Sequence, residues 1–330
     1  MDFGLTAEQD QLAEAERAWL VRNDPLVRVR ATLDSAPVTI DPAAVAHATE
    51  SGLLSLLTPE MGGTHVDLAV LTEAHGYAAS AFPIADLTVA AWLLDRAGIS
   101  TGEGSLTGLA FGSSRRGPST PVPMAADMAS VAVVGEAGEK EYLSVVSAPA
   151  LIAMSTLDLT RSWARVNFDR TDVAALPEGT ELPAGTLAAV RDALAVHRAF
   201  DALGAAARLL DMTVEYAGQR EQFGAPIGSF QAVKHHCADM VVAVESARAS
   251  LWAAALALDT SVGAARSRAT SAAAAYAKAA AARVAGDALQ VHGGIGFTWE
   301  HDLHLLLRRI KVDEAFDGTV AEHRAALVTA

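Results

Sequence analysis

Cysteine is almost absent: the chain has one, Cys237, in 330 residues. An internal disulfide is therefore excluded, and a reducing compartment, the cytoplasm, is expected. Cys237 itself reads as a small hydrophobe on a helix. Basic residues are scarce as well, 25 against 39 acidic ones, for a net charge of −14. A nucleic-acid binder needs a basic face to neutralise phosphates, so that class is excluded, although a few local donors suffice for a small anionic ligand. No stretch of about twenty residues is strongly apolar and free of charges and helix breakers, so no membrane span is expected. The first twenty residues carry Asp2, Glu8, Asp10, Glu14 and Glu16, which a secretory signal does not tolerate. After Pro183 only one proline follows, Pro226, and alanine dominates. Long helices that approach one another closely are expected there.

What is present falls into three stretches. Thr6 and Gln9 have capping-box spacing before a helix that carries Leu12, Ala15, Trp19 and Leu20. Further helices are expected from Pro42 to about Ser51, from Leu68 to Tyr77 and from Ala85 to Ala97, with a turn-rich loop over Leu57 to Thr64. Between 103 and 185 glycine and proline rise, and Ser130–Val134, Tyr142–Val146 and Ala164–Phe168 read as strands. Leu187, Val190, Leu194, Leu203, Leu210 and Val214 keep helical spacing in the third stretch. Helices are expected next over 229 to 259, about 45 Å at ~1.5 Å per residue, then from Ser267 to Val291 and from His301 to Lys311. The fold class expected is mainly α with a small β middle domain. An N-terminal helical domain covers 1–103, a reduced β domain 104–183 and a C-terminal four-helix bundle 184–330.

Two segments of the third stretch carry chemistry. Arg220-Glu-Gln-Phe-Gly-Ala-Pro-Ile-Gly-Ser-Phe-Gln231 lies between two helical runs. Gly224 and Gly228 let a turn pass close to another surface, Pro226 separates the helices, and Ser229 is the expected N-cap of the second. Arg220 is placed to hold a phosphate or carboxylate with its fork of donors, although spacing alone also fits a helix hairpin with one solvated arginine. Gln290-Val-His-Gly-Gly-Ile-Gly-Phe-Thr298 ends the third bundle helix. Its three glycines expose backbone amides to an anion where a plain helix stop needs only one.

Both segments resemble the acyl-CoA dehydrogenase family, which has Arg-x-x-Phe-Gly with a late Gln at the first and Gln-x-x-Gly-Gly-x-Gly-Tyr/Phe at the second. Met1-Asp-Phe3, Leu5-Thr-Ala-Glu-Gln9 and the Pro59-Glu-x-Gly-Gly63 loop are similar to the family's N-terminal helical domain. The resemblance implies FAD as cofactor, with Arg220, Phe223, Gln231, Gln290, Gly293 and Gly294 reaching the adenosine and pyrophosphate end of a neighbouring subunit's flavin. Lys311-Val-Asp-Glu-Ala-Phe-Asp-Gly-Thr319 stands where the family has Lys-x-Tyr-x-Ile-Tyr-Glu-Gly-Thr, whose Glu abstracts the substrate α-proton and whose Thr contacts the adenosine phosphate. Asp317 is thus the candidate catalytic base and Thr319 a further cofactor contact. Asp317 is one methylene shorter than the family's Glu, and a ~1 Å displacement can cost about 10²-fold in rate. It fits a turn Asp before Gly equally well. The alternative position of the family's base falls on Leu194, with Ala195 where a neighbouring Arg is common, and neither residue can substitute.

The loops that grip the flavin ring in the family's middle domain, Thr-Glu-Pro-x-Ala-Gly-Ser-Asp and Trp-Ile/Val-Thr-Asn, do not occur in this sequence. Gly112-Ser-Ser-Arg-Arg-Gly117 occupies part of that space and reads as a solvated basic loop. No metal site is expected: Glu300-His-Asp-Leu-His304 lacks the second Glu-x-x-His copy of a di-metal bundle, and His235 and His236 lack zinc spacing. This pattern of retention and loss resembles the short β-type subunit of α2β2 acyl-CoA dehydrogenases of steroid-degrading bacteria. It implies a second dehydrogenase-like chain as partner, a bulky acyl-CoA as substrate and an electron-transfer flavoprotein as acceptor. A self-sufficient dehydrogenase using Asp317, or a flavin-free helical scaffold, are the alternatives.

Overall fold

The structure, a computed structural model, describes residues 4–23, 26–33, 37–100, 104–112, 118–168 and 179–329. Met1-Asp-Phe3 and residues 113–117 of the basic loop lie outside them. Helix α1 (Ala7–Asn23) opens with the expected box, in which the Thr6 N–H donates to Gln9 Oε1 and the Gln9 N–H to Thr6 Oγ1. Helices α3 (Pro42–Glu50), α4 (His65–Ala78) and α5 (Ile84–Arg96) stand where periodicity puts them. A short helix α2 (Leu26–Thr32) was not expected, because the surrounding prolines read as breakers, yet a proline just before a helix is compatible with it.

The β layer holds β1 (Thr107–Phe111), β2 (Val122–Pro123), β3 (Ser130–Ala137), β4 (Lys140–Ser147), β5 (Leu151–Met154), β6 (Trp163–Val166) and β7 (Thr180–Leu182). They form a four-stranded sheet in the order β1-β3-β4-β7 and a three-stranded antiparallel sheet in the order β2-β6-β5. Within the larger sheet β1 runs parallel to β3, and the other pairs are antiparallel.

Helix α6 (Thr186–Gln219) begins the bundle and packs on α4, on α7 (Gln231–Thr260), on α8 (Gly263–His292) and on α9 (Leu303–Ala315). A further helix, α10 (Val320–Thr329), packs on α8. Alanines Ala243, Ala247, Ala254, Ala273, Ala277 and Ala281 fill the α7–α8 seam with buried side chains, and small side chains permit such close approach. At the α4–α6 crossing the backbones themselves touch: a Cβ on Gly204 would stand 2.1 Å from the Glu73 carbonyl oxygen, and one on Gly76 2.1 Å from that of Asp201.

By length and composition alone α7 is apolar enough to cross a membrane, with a mean hydropathy of 1.5 in its most apolar window. Its bundle-facing Met240, Val244 and Leu251 are buried, Arg248 pairs with the buried Glu73 of α4 at 2.9 Å, and Glu245 stands exposed on its outer side. One expectation, the cap of α7, needs correction. Ser229 does not cap α7. It closes a 3-10 turn (Ile227–Ser229), its hydroxyl donates to the Pro226 carbonyl at 2.7 Å, and Phe230 takes the N-cap position without a side-chain bond.

Candidate functional site

Helix α6 stops at Gln219, and Arg220 is its C-cap, with its N–H on the Tyr216 carbonyl at 2.8 Å. The chain then makes a tight hairpin, β8 (Glu221–Gln222) against β9 (Ala225–Pro226), which the Ile227 N–H closes on the Arg220 carbonyl at 2.7 Å. Both central residues have positive φ, Phe223 at 53° and Gly224 at 78°, as a type I′ turn demands. Glycine adopts that conformation freely and phenylalanine does not. Phe223 nevertheless occupies it, and its side chain is 95% exposed. Pro226 therefore sits in a strand of this hairpin, after α6 has already ended.

At the far end of α8 the helix stops at Gly293, with φ 60° and ψ −137°. A Cβ built on Gly293 or Gly294 would meet nothing within 4 Å, so the backbone there is open to an incoming group. Tyr216 of α6 stacks on His292, ring centroids 4.5 Å apart, and thereby joins the two turns at one end of the bundle. The Nδ1 of His292 bonds the Ala288 carbonyl at 2.8 Å while its buried Nε2 finds no partner among the described residues. Burial pushes the His292 imidazole down, with the neighbouring His301 adding to the effect. A neutral imidazole is what a ring stack in a closed seam accommodates.

Arg220, Phe223, Gln231 and Gln290 expose their side chains at this end. Those of Arg220, Gln231 and Gln290 make no hydrogen bond or ion pair among the described residues. An uncommitted guanidinium, two uncommitted side-chain amides and a glycine-lined helix end, all outward, fit the phosphate and polar edge of a dinucleotide presented from outside the chain. Phe223 and Phe230, edge to face at 6.1 Å, add apolar area beside them.

Asp317 and Thr319 are elsewhere. Arg198 lies on α6 some twenty residues before Arg220, on the order of 30 Å along the helix axis at ~1.5 Å per residue. Its Nε donates to Asp317 Oδ2 at 2.8 Å and its Nη2 to Asp86 Oδ1 of α5 at 2.8 Å. The Asp317 turn has φ 54° there and 89° at Gly318. The buried Lys278 of α8 pins it from below, donating to the carbonyls of Phe316 and Gly318 at 2.6 Å each. Burial pushes the Lys278 ammonium down to about 8. Asp317 thus precedes a glycine in a turn and makes an ion pair with Arg198. The Thr319 hydroxyl is committed too: it and the Thr319 N–H donate to Glu322 Oε2, and the Glu322 N–H returns to Thr319 Oγ1, which closes a capping box at the start of α10. Leu194 and Ala195 are buried core residues. Among the described residues no group of three or more metal-ligating side chains is assembled.

Sequence reasoning missed Tyr216, Arg198 and Lys278. Tyr216 precedes Arg220 by four residues, one helical turn, which was the available signal. Arg198 and Lys278 belong to helix faces whose partners lie 119 and 38 to 40 residues away.

The family described as "Acyl-CoA dehydrogenase, C-terminal domain" matches residues 185–329. Acyl-CoA dehydrogenase IpdE2 of Mycolicibacterium smegmatis is 32% identical over 311 residues, which are 92% of this chain and 93% of that protein. Two solved structures share the fold with a TM-score of 0.84 and 23% identity each. One is the Tcur3481-Tcur3483 steroid ACAD, with 98% of this chain and 97% of that one aligned, and the other the ChsE4-ChsE5 complex from Mycobacterium tuberculosis, with 100% and 98%. By the near-complete alignment with IpdE2 at 32% identity, and by motifs carried on the elements just described, the chain belongs to the acyl-CoA dehydrogenase family of oxidoreductases.

Proposed function

We propose that this chain is the non-catalytic subunit of a heteromeric FAD-dependent acyl-CoA dehydrogenase and completes the flavin site of a second, dehydrogenase-like chain. The carrying observation is the separation of the two residue sets. Arg220, Gln231 and Gln290 face outward without partners among the described residues, beside the open Gly293–Gly294 turn, whereas Asp317 is tied into its own chain by Arg198 and its turn by Lys278. In this reading Arg220 and the glycine-lined end of α8 grip the diphosphate, Gln231 and Gln290 bind the polar edge of the nucleotide, and Phe223 lies against its base. Bound FAD supplies the acceptor for the hydride that leaves the acyl β-carbon. The α-proton then goes to a base on the partner chain, because Arg198 ties the Asp317 carboxylate into its own chain.

The fold shared with a steroid ACAD and with a two-chain complex supports a bulky acyl-CoA as substrate and a heteromer as the working form. An electron-transfer flavoprotein as acceptor and a cytoplasmic setting complete the proposal. Native mass analysis of the purified protein tests it: the expected species pairs this chain with a second dehydrogenase-like chain and holds about one FAD per pair. A homogeneous assembly with full flavin and turnover overturns it. Asp317→Asn separates the alternatives, since loss of desaturation with folding retained is expected only if Asp317 is the base. A colourless complex indifferent to Arg220→Ala would mark a scaffold.

A further inference from the structure

The Arg198–Asp317 pair belongs to a larger charged knot where the β layer, the N-terminal helices and the bundle meet. Four cations take part. Arg161, from the loop between β5 and β6, bonds Asp158 Oδ2 and Asp313 Oδ1 at 2.7 and 2.8 Å. Arg309 of α9 forks onto both oxygens of Asp201 at 2.6 and 2.7 Å. Arg198 holds Asp86 and Asp317, and Lys278 stands behind the Asp317 turn. Five carboxyls therefore face four cations, and the junction is closed, with only about 10 Å³ of free volume against Arg161, Arg198 and Asp201.

One oxygen is left over. Asp313, on α9 next to this junction, is fully buried, and its Oδ2 has no donor among the described residues. A bare carboxylate oxygen in such an interior is costly, and a carboxylic acid there is not, provided its proton has an acceptor. An acceptor is at hand: the Asp201 carboxylate shares the Arg161 guanidinium with Asp313, its Oδ2 3.5 Å from Nη1 while Asp313 Oδ1 lies 2.8 Å from Nη2. We propose that Asp313 keeps its proton at neutral pH and donates it to Asp201, so that the knot closes at four cations against four anions and acts as a proton-dependent lock between the three layers. Burial holds the Asp313 carboxyl well above the ordinary carboxylate range. The facing Asp201 adds to this, and the guanidiniums of Arg161, Arg198 and Arg309 oppose it. Asp201 shifts the other way, held ionised by Arg309 and Arg161 despite its burial. Asp158 is likewise ionised, bonded to Thr160 and Arg161.

The native state then binds a proton that the unfolded chain has released above about pH 4. Stability must fall as pH rises through this window until Asp313 ionises, and the junction, with one negative charge too many, is where it loosens. Asp313→Asn tests this, because an amide reproduces the protonated acid and cannot ionise. In the full chain with its partner, the variant should melt within about 2 °C of wild type near pH 4, where the unfolded Asp313 is protonated too, and increasingly above it as pH rises through neutrality. Asp201→Asn, which removes an ionised partner of Arg309, should melt far lower at every pH. If Asp313→Asn is as damaging as Asp201→Asn at neutral pH, the proposal fails. Should Asp313→Asn not fold, the infrared spectrum of the wild type decides: a buried protonated carboxyl band at neutral pH supports the lock, and its absence overturns it.

Discussion

Tyr216 lies nearly flat on His292, centroids 4.5 Å apart and planes 17° apart, and this stack binds the turn after α6 to the turn after α8. Aromatic pairs of this kind contribute about 0.5–1.5 kcal/mol beyond their buried area. Tyr216→Leu should therefore cost little in global stability, while the two turns lose their mutual register. The expected outcome is faster loss of bound flavin from the complex, followed by flavin absorbance after gel filtration, with an unchanged far-ultraviolet circular dichroism spectrum.

Among the described residues the Arg220 side chain has no partner, so its removal leaves none of them buried and unpaired. Arg220→Ala should leave the melting temperature of the isolated chain unchanged. A charge-assisted contact with a phosphate is worth enough that flavin affinity in the complex should drop about 10- to 100-fold. Isothermal titration of the flavin-depleted complex with FAD reads this directly. Arg220→Lys should recover only part of the loss, because an ammonium cannot fork onto two oxygens.

The contact of α4 with α6 admits no side chain. Because a Cβ on Gly204 would lie 2.1 Å from the Glu73 carbonyl oxygen and 2.6 Å from the Tyr77 nitrogen, the helices must separate to accept one. Gly204→Ala should destabilise by about 1–3 kcal/mol or more by overpacking, although alanine is the better helix former. Gly286→Ala, on α8 with open space around it, should stabilise by about 0.5–1 kcal/mol. Chemical denaturation of the two variants gives opposite signs.

Glu16 of α1 is buried, and its two oxygens bond His47 Nε2 of α3 at 2.9 Å and His75 Nε2 of α4 at 3.0 Å. Burial pushes the Glu16 carboxyl up, but the two histidine bonds prevail and hold it below its ordinary value. A carboxylate depressed in the folded state contributes stability that is present above its unfolded value of about 4.3 and is lost as pH falls through the lower folded value. Helix α1 should therefore loosen selectively below about pH 4. Hydrogen exchange along α1 should accelerate there before the bundle responds, and Glu16→Gln should remove that pH dependence.

Much of the fold was legible because its signals are local. Thr6 and Gln9 announce α1, alanine-rich periodicity announces α6 to α8, and Gly293 ends α8 in the position its neighbours require. The short strands β2, β5 and β7 and the helix α2 were not legible, since three or four residues hold too little periodicity to outweigh neighbouring prolines and glycines. Ser229 was misread for a related reason: a hydroxyl before a helix has several acceptors, and the Pro226 carbonyl, three residues back, won.

The sequence by itself determined which residues could serve a dinucleotide, because a guanidinium, glycine-lined amides and their spacing along the helices are properties of the chain. It also contained every charge of the interlayer knot without any sign that they meet. Only the tertiary structure decided that Arg220 and Gly293 share one free end of the bundle, while Asp317 lies on the order of 30 Å along α6 in the grip of Arg198. The reason is physical. Periodicity fixes the face of a helix, but which faces meet depends on side chains packing across more than a hundred residues of intervening chain, and on burial that draws carboxylates such as Asp317 into ion pairs.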